Sequence, residues 1–279
     1  MTGTDDAEAL AQRFEEHRGQ LRAVAYRMLG SLAEAEDAVQ ETWLRFSRSD
    51  TSAVENLGGW LTTVTARICL NILRAREARG EEPLAPEPLV SAPGPDPEHE
   101  ALLADAVGLA LLVVLDTLTP AERLAFVLHD MFSVPFGEIA ELVDRTPDAT
   151  RQLASRARRR VRGAAPVPDP DPALQRKVVD AFRAAPREGS FEQLVATLAP
   201  DVVLRAPGHD PITGAENVAR QAMLFSDPAV THRDVLVNGV PGQLALRDGV
   251  PTAMLAFTVA GGRIAAIDIV TDVARLSHL

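Results

Sequence analysis

The stretch 133–162, SVPFGEIAELVDRTPDATRQLASRARRRVR, constrains this chain more than any other. Ile139, Ala140, Leu142 and Val143 recur at helical spacing, so its first half reads as a helix with one apolar face. Asp144 and Arg145 interrupt that helix. Thr146 can cap a second one through its hydroxyl, Pro147 suits the first helical position, and Asp148 suits the positive helix end. Leu153, Ala157 and Val161 lie four apart and would pack inward, turning Arg151, Ser155, Arg158, Arg159 and Arg162 outward. Seven arginines against one acid fall between positions 145 and 167. A capped helix with a packed back and a cationic front suits the second helix of a helix-turn-helix. Its first turns would face base edges and its arginines would neutralise phosphate. The alternative is a solvated basic helix in a bundle; turn, cap and charge together favour DNA.

The net charge of −11 runs against DNA binding until its distribution is considered. Residues 61–79 carry 4 arginines and 1 acid, and residues 145–167 carry 7 and 1, whereas residues 80–107 carry 7 acids and no base. Two basic islands sit in an acidic chain whose own field opposes phosphate, so binding would need a partner that masks the acidic part. At 279 residues there is room for two or three domains. No apolar run is long enough to span a membrane, and the amino terminus shows neither a basic n-region nor an apolar h-region. The single cysteine, Cys69, fits a reducing cytoplasm.

Residues 5–48 read as helices. Leu21, Val24, Ala25, Met28 and Leu29 form an apolar stripe, and Ser31 with Glu34 has the spacing of a capping box opening a second helix. There Ala38, Val39, Trp43 and Phe46 face inward, while Asp37, Gln40 and Glu41 face out. That acidic face is either solvation or a dock for a basic protein surface. NLGGW (56–60) reads as a turn. A patterned helix follows, with Leu61, Val64, Ile68 and Ile72 on one stripe and Thr63, Arg67, Asn71 and Arg74 on a polar side continued by Arg76. Trp60 beside those arginines could stack unpaired bases and hold their backbone, or could be a core tryptophan beside solvated arginines. Residues 80–100 form an acidic, proline-rich linker with no core of its own. An apolar helix is expected over 101–118, then a second capping box at Thr119 and Glu122.

Three stretches, EAEDAVQETW, WLTTVTARICLNILRAR and LTPAERLAFVLHDMFSVPFGEIAELVDRTPDATRQLASRARRRV, resemble regions two and four of an extracytoplasmic-function sigma factor. The resemblance implies that Asp37, Gln40 and Glu41 dock on the clamp helices of RNA polymerase core, with region four on the flap. It implies that the helix bearing Trp60, Thr63, Arg67, Asn71, Arg74 and Arg76 reads a melted minus-ten element. Thr150, Arg151, Gln152, Ser155, Arg156 and Arg159 would read the minus-thirty-five element. Asn71 stands where many relatives carry Asp.

After a second Pro-rich linker, 164–172, the pattern changes to two helices over 173–198, a third over 214–225, and strands at 201–205, 231–238, 243–246, 252–259 and 264–270. Arg247-Asp248-Gly249 and AGGR (260–263) are hairpin signals. Helices followed by a twisted antiparallel sheet imply an α+β domain. Residues 173–279 resemble the SnoaL-like cone-shaped extension of one sigma-factor subgroup. Three of that subgroup's motifs are altered here, at 83–88, 206–210 and 271–276. The expected architecture is multidomain: sigma region two (1–79), a linker (80–100), sigma region four (101–163), a linker (164–172) and the cone (173–279).

SnoaL-like relatives include cyclases that use Asp and His, so Arg205, His209, Asp210, His232 and Asp268 are candidate pocket residues. A His–Asp pair facing one cavity could do acid–base work, yet a fold alone grants no activity. No Cys/His spacing suggests a metal, and no cofactor is implied. The leading expectation is a promoter-specificity subunit of polymerase, without chemistry of its own and regulated by the cone. The alternatives are a stand-alone DNA-binding regulator that senses a small molecule through the cone, or a cyclase or isomerase fused to a DNA-binding module.

Overall fold

The computed structural model describes residues 2–51, 54–81, 87–91, 109–164, 166, 168–169, 171–187, 189–224, 227 and 229–271. They divide into two compact units, Met1–Glu87 with Leu112–Gly163, and Pro88–Leu111 with Ala164–Leu279.

In the first unit, α1 (Thr2–Leu29), α2 (Leu32–Phe46) and α3 (Leu57–Arg79) form a bundle around Phe14, Leu21, Val39, Phe46 and Leu61. The stripe expected on α1 is buried as read; of the α3 stripe Leu61 and Ile68 are buried, whereas Val64 and Ile72 are half-buried, and Trp43 and Trp60 pack on the rim of this core. Asn56, expected in a turn, caps α3 by accepting the Gly59 N–H at 2.9 Å. The capping box expected at Ser31 and Glu34 does not form. Glu34 ion-pairs with Arg76 of α3 instead, a charge-assisted bond stronger than the one the box would supply. The orphan amide at the start of α2 is taken by Glu87, whose carboxylate accepts from Leu32 N–H at 3.1 Å and from the Ser31 hydroxyl at 3.0 Å. The Glu87 backbone is held on both sides, donating to Gly30 O at 2.7 Å and accepting from the Tyr26 hydroxyl at 2.5 Å.

The second helical segment comprises α4 (Leu109–Asp116), α5 (Pro120–Phe126), a wide π-helical turn (Val127–Met131), α6 (Phe136–Val143) and α7 (Pro147–Ala164). Residues 101–108 of the expected apolar helix lie outside the described residues. The capping box of Thr119 and Glu122 is present. The sequence suggested two helical domains on a string, but from Leu112 onward this segment shares a unit with α1–α3. The reason is that α3 is apolar on more than one side. Leu61, Ala66, Ile68, Cys69 and Leu70 are all buried, and a three-helix bundle covers only part of that surface. Packing of α3 on α5 and α6 covers more. Arg123, 4% exposed, marks the seam: it ion-pairs with Asp116 and donates from Nε to the Arg27 carbonyl at 3.0 Å. Burial pushes the Asp116 carboxyl above its ordinary range, with Arg123 opposing. Burial likewise pushes the Cys69 thiol up to about 12, leaving it unreactive.

The second unit contains α8 (Pro172–Arg187), α9 (Phe191–Thr197), β2 (Leu198–Arg205), β3 (Ile212–Thr213), α10 (Ala215–Leu224), β4 (Val230–Val237), β5 (Val240–Arg247), β6 (Val250–Ala260) and β7 (Arg263–Val270). With β1 (Val90–Ser91) from the first linker, the strands form one sheet in the order β1-β4-β5-β6-β7-β2-β3. The expected antiparallel sheet is mixed, because β2 runs parallel to β7. After β2 the chain passes through β3 and α10 before starting the β4–β7 meander, so β2 joins the last strand of that meander. Val179, Phe182, Leu194, Val202, Leu204, Phe257, Val259 and Ile267 fill the space between helices and sheet. The two expected hairpin turns have both central residues at positive φ: Asp248 and Gly249 at 53° and 78°, Gly261 and Gly262 at 59° and 71°. A third such turn, Asn238 and Gly239 at 50° and 77°, was missed; Asn-Gly is itself the residue pair this mirror-image turn favours.

Both linkers dock on this unit. Leu89 is bracketed by Asn238: its N–H donates to Asn238 Oδ1 and its carbonyl accepts from Asn238 N–H, each at 2.7 Å. Val90 and Ser91 then pair with Val237 and Leu236. In the second linker the Asp169 carboxylate accepts the Gly261 and Gly262 N–H groups at 3.0 and 2.8 Å. The two turns that hold the linkers lie at the same end of the β4–β7 meander.

Candidate nucleic-acid interface

The turn between α6 and α7 is built from three short-range devices. Asp144 ends α6 at φ 55°, a left-handed conformation that Asp tolerates. Arg145 N–H then closes on Ala140 O at 3.0 Å. Thr146 caps α7 by accepting Ala149 N–H at 3.2 Å. The buried back of α7 is Thr150, Ala154 and Ala157, all without exposed surface. Of the stripe inferred from Leu153, Ala157 and Val161, Ala157 is buried while Leu153 and Val161 are half-buried, with Thr150 and Ala154 buried instead. A small-residue back lets α7 sit close to its neighbours, and it removes Thr150 from any outward face. The Thr150 hydroxyl bonds Thr146 O at 3.0 Å.

Arg151, Gln152, Ser155 and Arg159 are exposed along one side of α7. Arg151 pairs with Asp148 and lies 5.8 Å from the Phe136 ring centre. Three arginines that the sequence could not tell from these are tied back. Arg156 Nε and Arg160 Nη1 reach the Glu122 carboxylate at 2.9 and 2.8 Å, and Arg158 makes two bonds of 2.7 Å to Asp130. Burial works to raise the pKa of Glu122, but Arg156, Thr119 and Arg160 hold it below the ordinary carboxylate range.

On α3, Arg67, Asn71 and Arg74 are exposed, and Thr63 is half-buried. Arg76 is not available in the same way, because Glu34 holds it with 16% of its side chain exposed. Trp60 is half-buried. One side of its ring packs against Phe46 at 6.2 Å between centroids, and it also lines a groove of about 440 Å³ with Thr63, Val64 and Arg67. The opposite wall comes from α2: Glu41, Leu44, Arg45, Arg48 and Ser49. Sequence reasoning missed this wall. Leu44, 39% exposed, is the one signal, an outward apolar residue on an otherwise amphipathic helix. An apolar floor with a ring on one side and arginines at the rim can receive a splayed base and hold its phosphate. Asp37 and Gln40 are exposed on α2, and Glu41 pairs with Arg45 at 2.9 Å.

The candidate pocket residues of the second unit do not converge. His209 and Asp210 are exposed on a loop, with His209 Nδ1 2.9 Å from Pro207 O. Asp268 and Arg205 do meet, Nε to Oδ1 at 2.7 Å, with Asp268 5% exposed. Burial raises the Asp268 pKa and Arg205 opposes it. In register, however, Asp268 lies level with Ala256, Gly242 and Val235. His232 is three residues from Val235 and so projects from the other face of the sheet. Among the described residues no group of three or more His, Cys, Asp or Glu could hold a metal ion, and no helix is long and apolar enough to cross a membrane.

The Sigma-70 region 2 family matches residues 13–79, and the Sigma-70, region 4 family matches residues 108–161. The ECF RNA polymerase sigma factor SigJ of Mycobacterium tuberculosis is 40% identical over 223 residues, 78% of this chain and 70% of that protein. The probable ECF RNA polymerase sigma factor SigI of the same species is 33% identical over 270 residues, 94% of this chain and 93% of that protein. The crystal structure of Mycobacterium tuberculosis SigJ superposes with a TM-score of 0.73 at 33% identity, covering 96% of this chain and 98% of the other.

Proposed function

Because this chain belongs to the extracytoplasmic-function RNA polymerase sigma factors, we propose that it reads promoters through two specific surfaces. One is the exposed side of α7, Arg151, Gln152, Ser155 and Arg159. The other is the α2/α3 groove lined by Trp60, Thr63 and Arg67, continued along α3 by the exposed Asn71 and Arg74. The observation that carries the reading is α7: a capped second helix with a fully buried small-residue back and a polar, cationic front. The first surface suits base edges in duplex DNA; the groove suits unpaired bases. Asp37, Gln40 and Glu41 supply an acidic patch for core polymerase, whose binding would offset the net negative charge and place the protein in the cytoplasm.

The α+β unit regulates this activity rather than performing chemistry. Its acid–base candidates lie on a loop and on opposite sheet faces, which gives the cyclase reading no assembled His–Asp pair and the ligand-sensing reading no shared site for these residues. Its hairpin turns instead hold the linkers on either side of the helix-turn-helix segment. By restraining residues 89–91 and 169, the unit limits how far the region-four helices can separate from the region-two bundle, and so tunes initiation. The test is run-off transcription from reconstituted holoenzyme, comparing the full chain with a version ending at Gly163. Specific initiation that depends on this chain, and changes several-fold on truncation, is the expected result. No dependence on the chain sinks the promoter-reading proposal; dependence with no change on truncation sinks the regulatory one.

A further inference from the structure

We propose that Glu122 is a positioning residue that removes Arg156 and Arg160 from the DNA-reading set of α7. The proposal rests on the reading of α7 above and deepens it by deciding which arginines take part. Seven arginines crowd residues 145–162, and as a sequence they are interchangeable. The structure sorts them. Glu122 is 5% exposed and already serves α5, where one carboxylate oxygen accepts from Thr119 N–H at 3.3 Å and from its hydroxyl at 3.0 Å. The remaining capacity goes to Arg156 Nε and Arg160 Nη1. Those two arginines lie four apart, one turn of α7, and reach one carboxylate from the flank beside the reading face, about 100° of helix rotation from its centre.

The arrangement is self-enforcing. If either arginine swung toward a phosphate, it would leave a nearly buried carboxylate short of a partner, which a surface ion pair would not require. Asp130 does the same to Arg158 through a two-bond pair. Arg145, Arg159 and Arg162 have no ion-pair partner among the described residues, and Arg151 has only the exposed Asp148. The cationic front is thereby narrowed to a stripe. Fewer unrestrained arginines mean less sequence-independent affinity, and base contacts at Arg151, Gln152, Ser155 and Arg159 then count for more of the total.

The test uses holoenzyme assembled with the full chain. One assay is a promoter library randomised in the upstream element; the other is salt-titrated binding of a labelled promoter duplex. Glu122→Gln keeps an oxygen for the Thr119 amide, so the cap survives, and circular dichroism checks the fold. With the charge gone, Arg156 and Arg160 are released to phosphate. The slope of log affinity against log salt should steepen by about 1 to 2, and the preference for the best upstream element should fall several-fold. Arg156→Ala should leave the preferred bases unchanged, whereas Arg159→Ala should lower affinity for the preferred element about 5- to 150-fold. An unaltered salt slope and preference in Glu122→Gln, or a changed base preference in Arg156→Ala, overturns the proposal while leaving the reading face intact. Loss of no specificity in Arg159→Ala overturns the reading face itself.

Discussion

Asn238 is the residue on which the linker clasp is most sharply tested. It sits at φ 50° in a mirror-image turn, is fully buried, and exchanges two hydrogen bonds with Leu89. Replacing it with Gly keeps the backbone conformation available and removes the side chain, including the acceptor for Leu89 N–H, whose loss costs about 1 to 1.5 kcal/mol. Replacing it with Ala removes the same acceptor and adds about 1 kcal/mol for a left-handed residue with a Cβ. The clasp over residues 89–91 should therefore open about 5- to 12-fold more often in Asn238→Gly and about 30- to 70-fold more often in Asn238→Ala, since each 1.4 kcal/mol is tenfold. Native-state hydrogen exchange on peptides covering residues 87–91 reads this directly, because local opening has its own free energy. The β6–β7 peptides serve as an internal reference and should not change in Asn238→Gly. Wild-type exchange at Leu89 and Val90 in both variants would refute the clasp, as would acceleration spread evenly over the whole sheet.

Three further outcomes are expected. Reversing Asp37 and Glu41 to Lys should abolish pull-down of core polymerase with helical circular dichroism intact; undiminished pull-down would mean that this face is only solvated. Glu87→Ala removes the carboxylate that closes the start of α2, so the helical unit should lose about 1 to 2 kcal/mol, read as a drop of several degrees in its melting transition. Glu122 has a lowered pKa, so its contribution is complete above the unfolded-state value near 4.3 and fades as pH falls through the folded value. Glu122→Gln should thus destabilise at pH 7 and cost progressively less below about pH 4, which denaturant melts across that range would show.

Much of this protein is legible along the chain because the devices that build it are local. The Thr146 cap, the Thr119–Glu122 box, the Asp-Gly and Gly-Gly turns and the stripe of α1 each depend on residues within about one helical turn or hairpin of one another, so their spacing alone announces them. Five of the seven described strands were found for the same reason, β4 shifted by one residue and the others short by one to three at an end, whereas β1 and β3, two residues each, were not. What the chain cannot announce is competition between partners distant in sequence. Glu34 is spaced for a capping box with Ser31, but Arg76, 42 residues on, outbids the cap, and Glu87 takes over the amide. Thr150 and Arg156 look as eligible for DNA as Ser155 and Arg159, because a helical repeat does not say which small residues its neighbours need or where a buried carboxylate will lie. His232 and Asp268 carry the right chemistry for a pair, and only strand register sets them on opposite faces. Composition and periodicity determined that there would be a capped cationic helix, an amphipathic bundle and a sheet. Tertiary packing decided which charges are paired across elements and which have no ion-pair partner among the described residues, since an ion pair forms wherever two groups meet in space, whatever their separation along the chain.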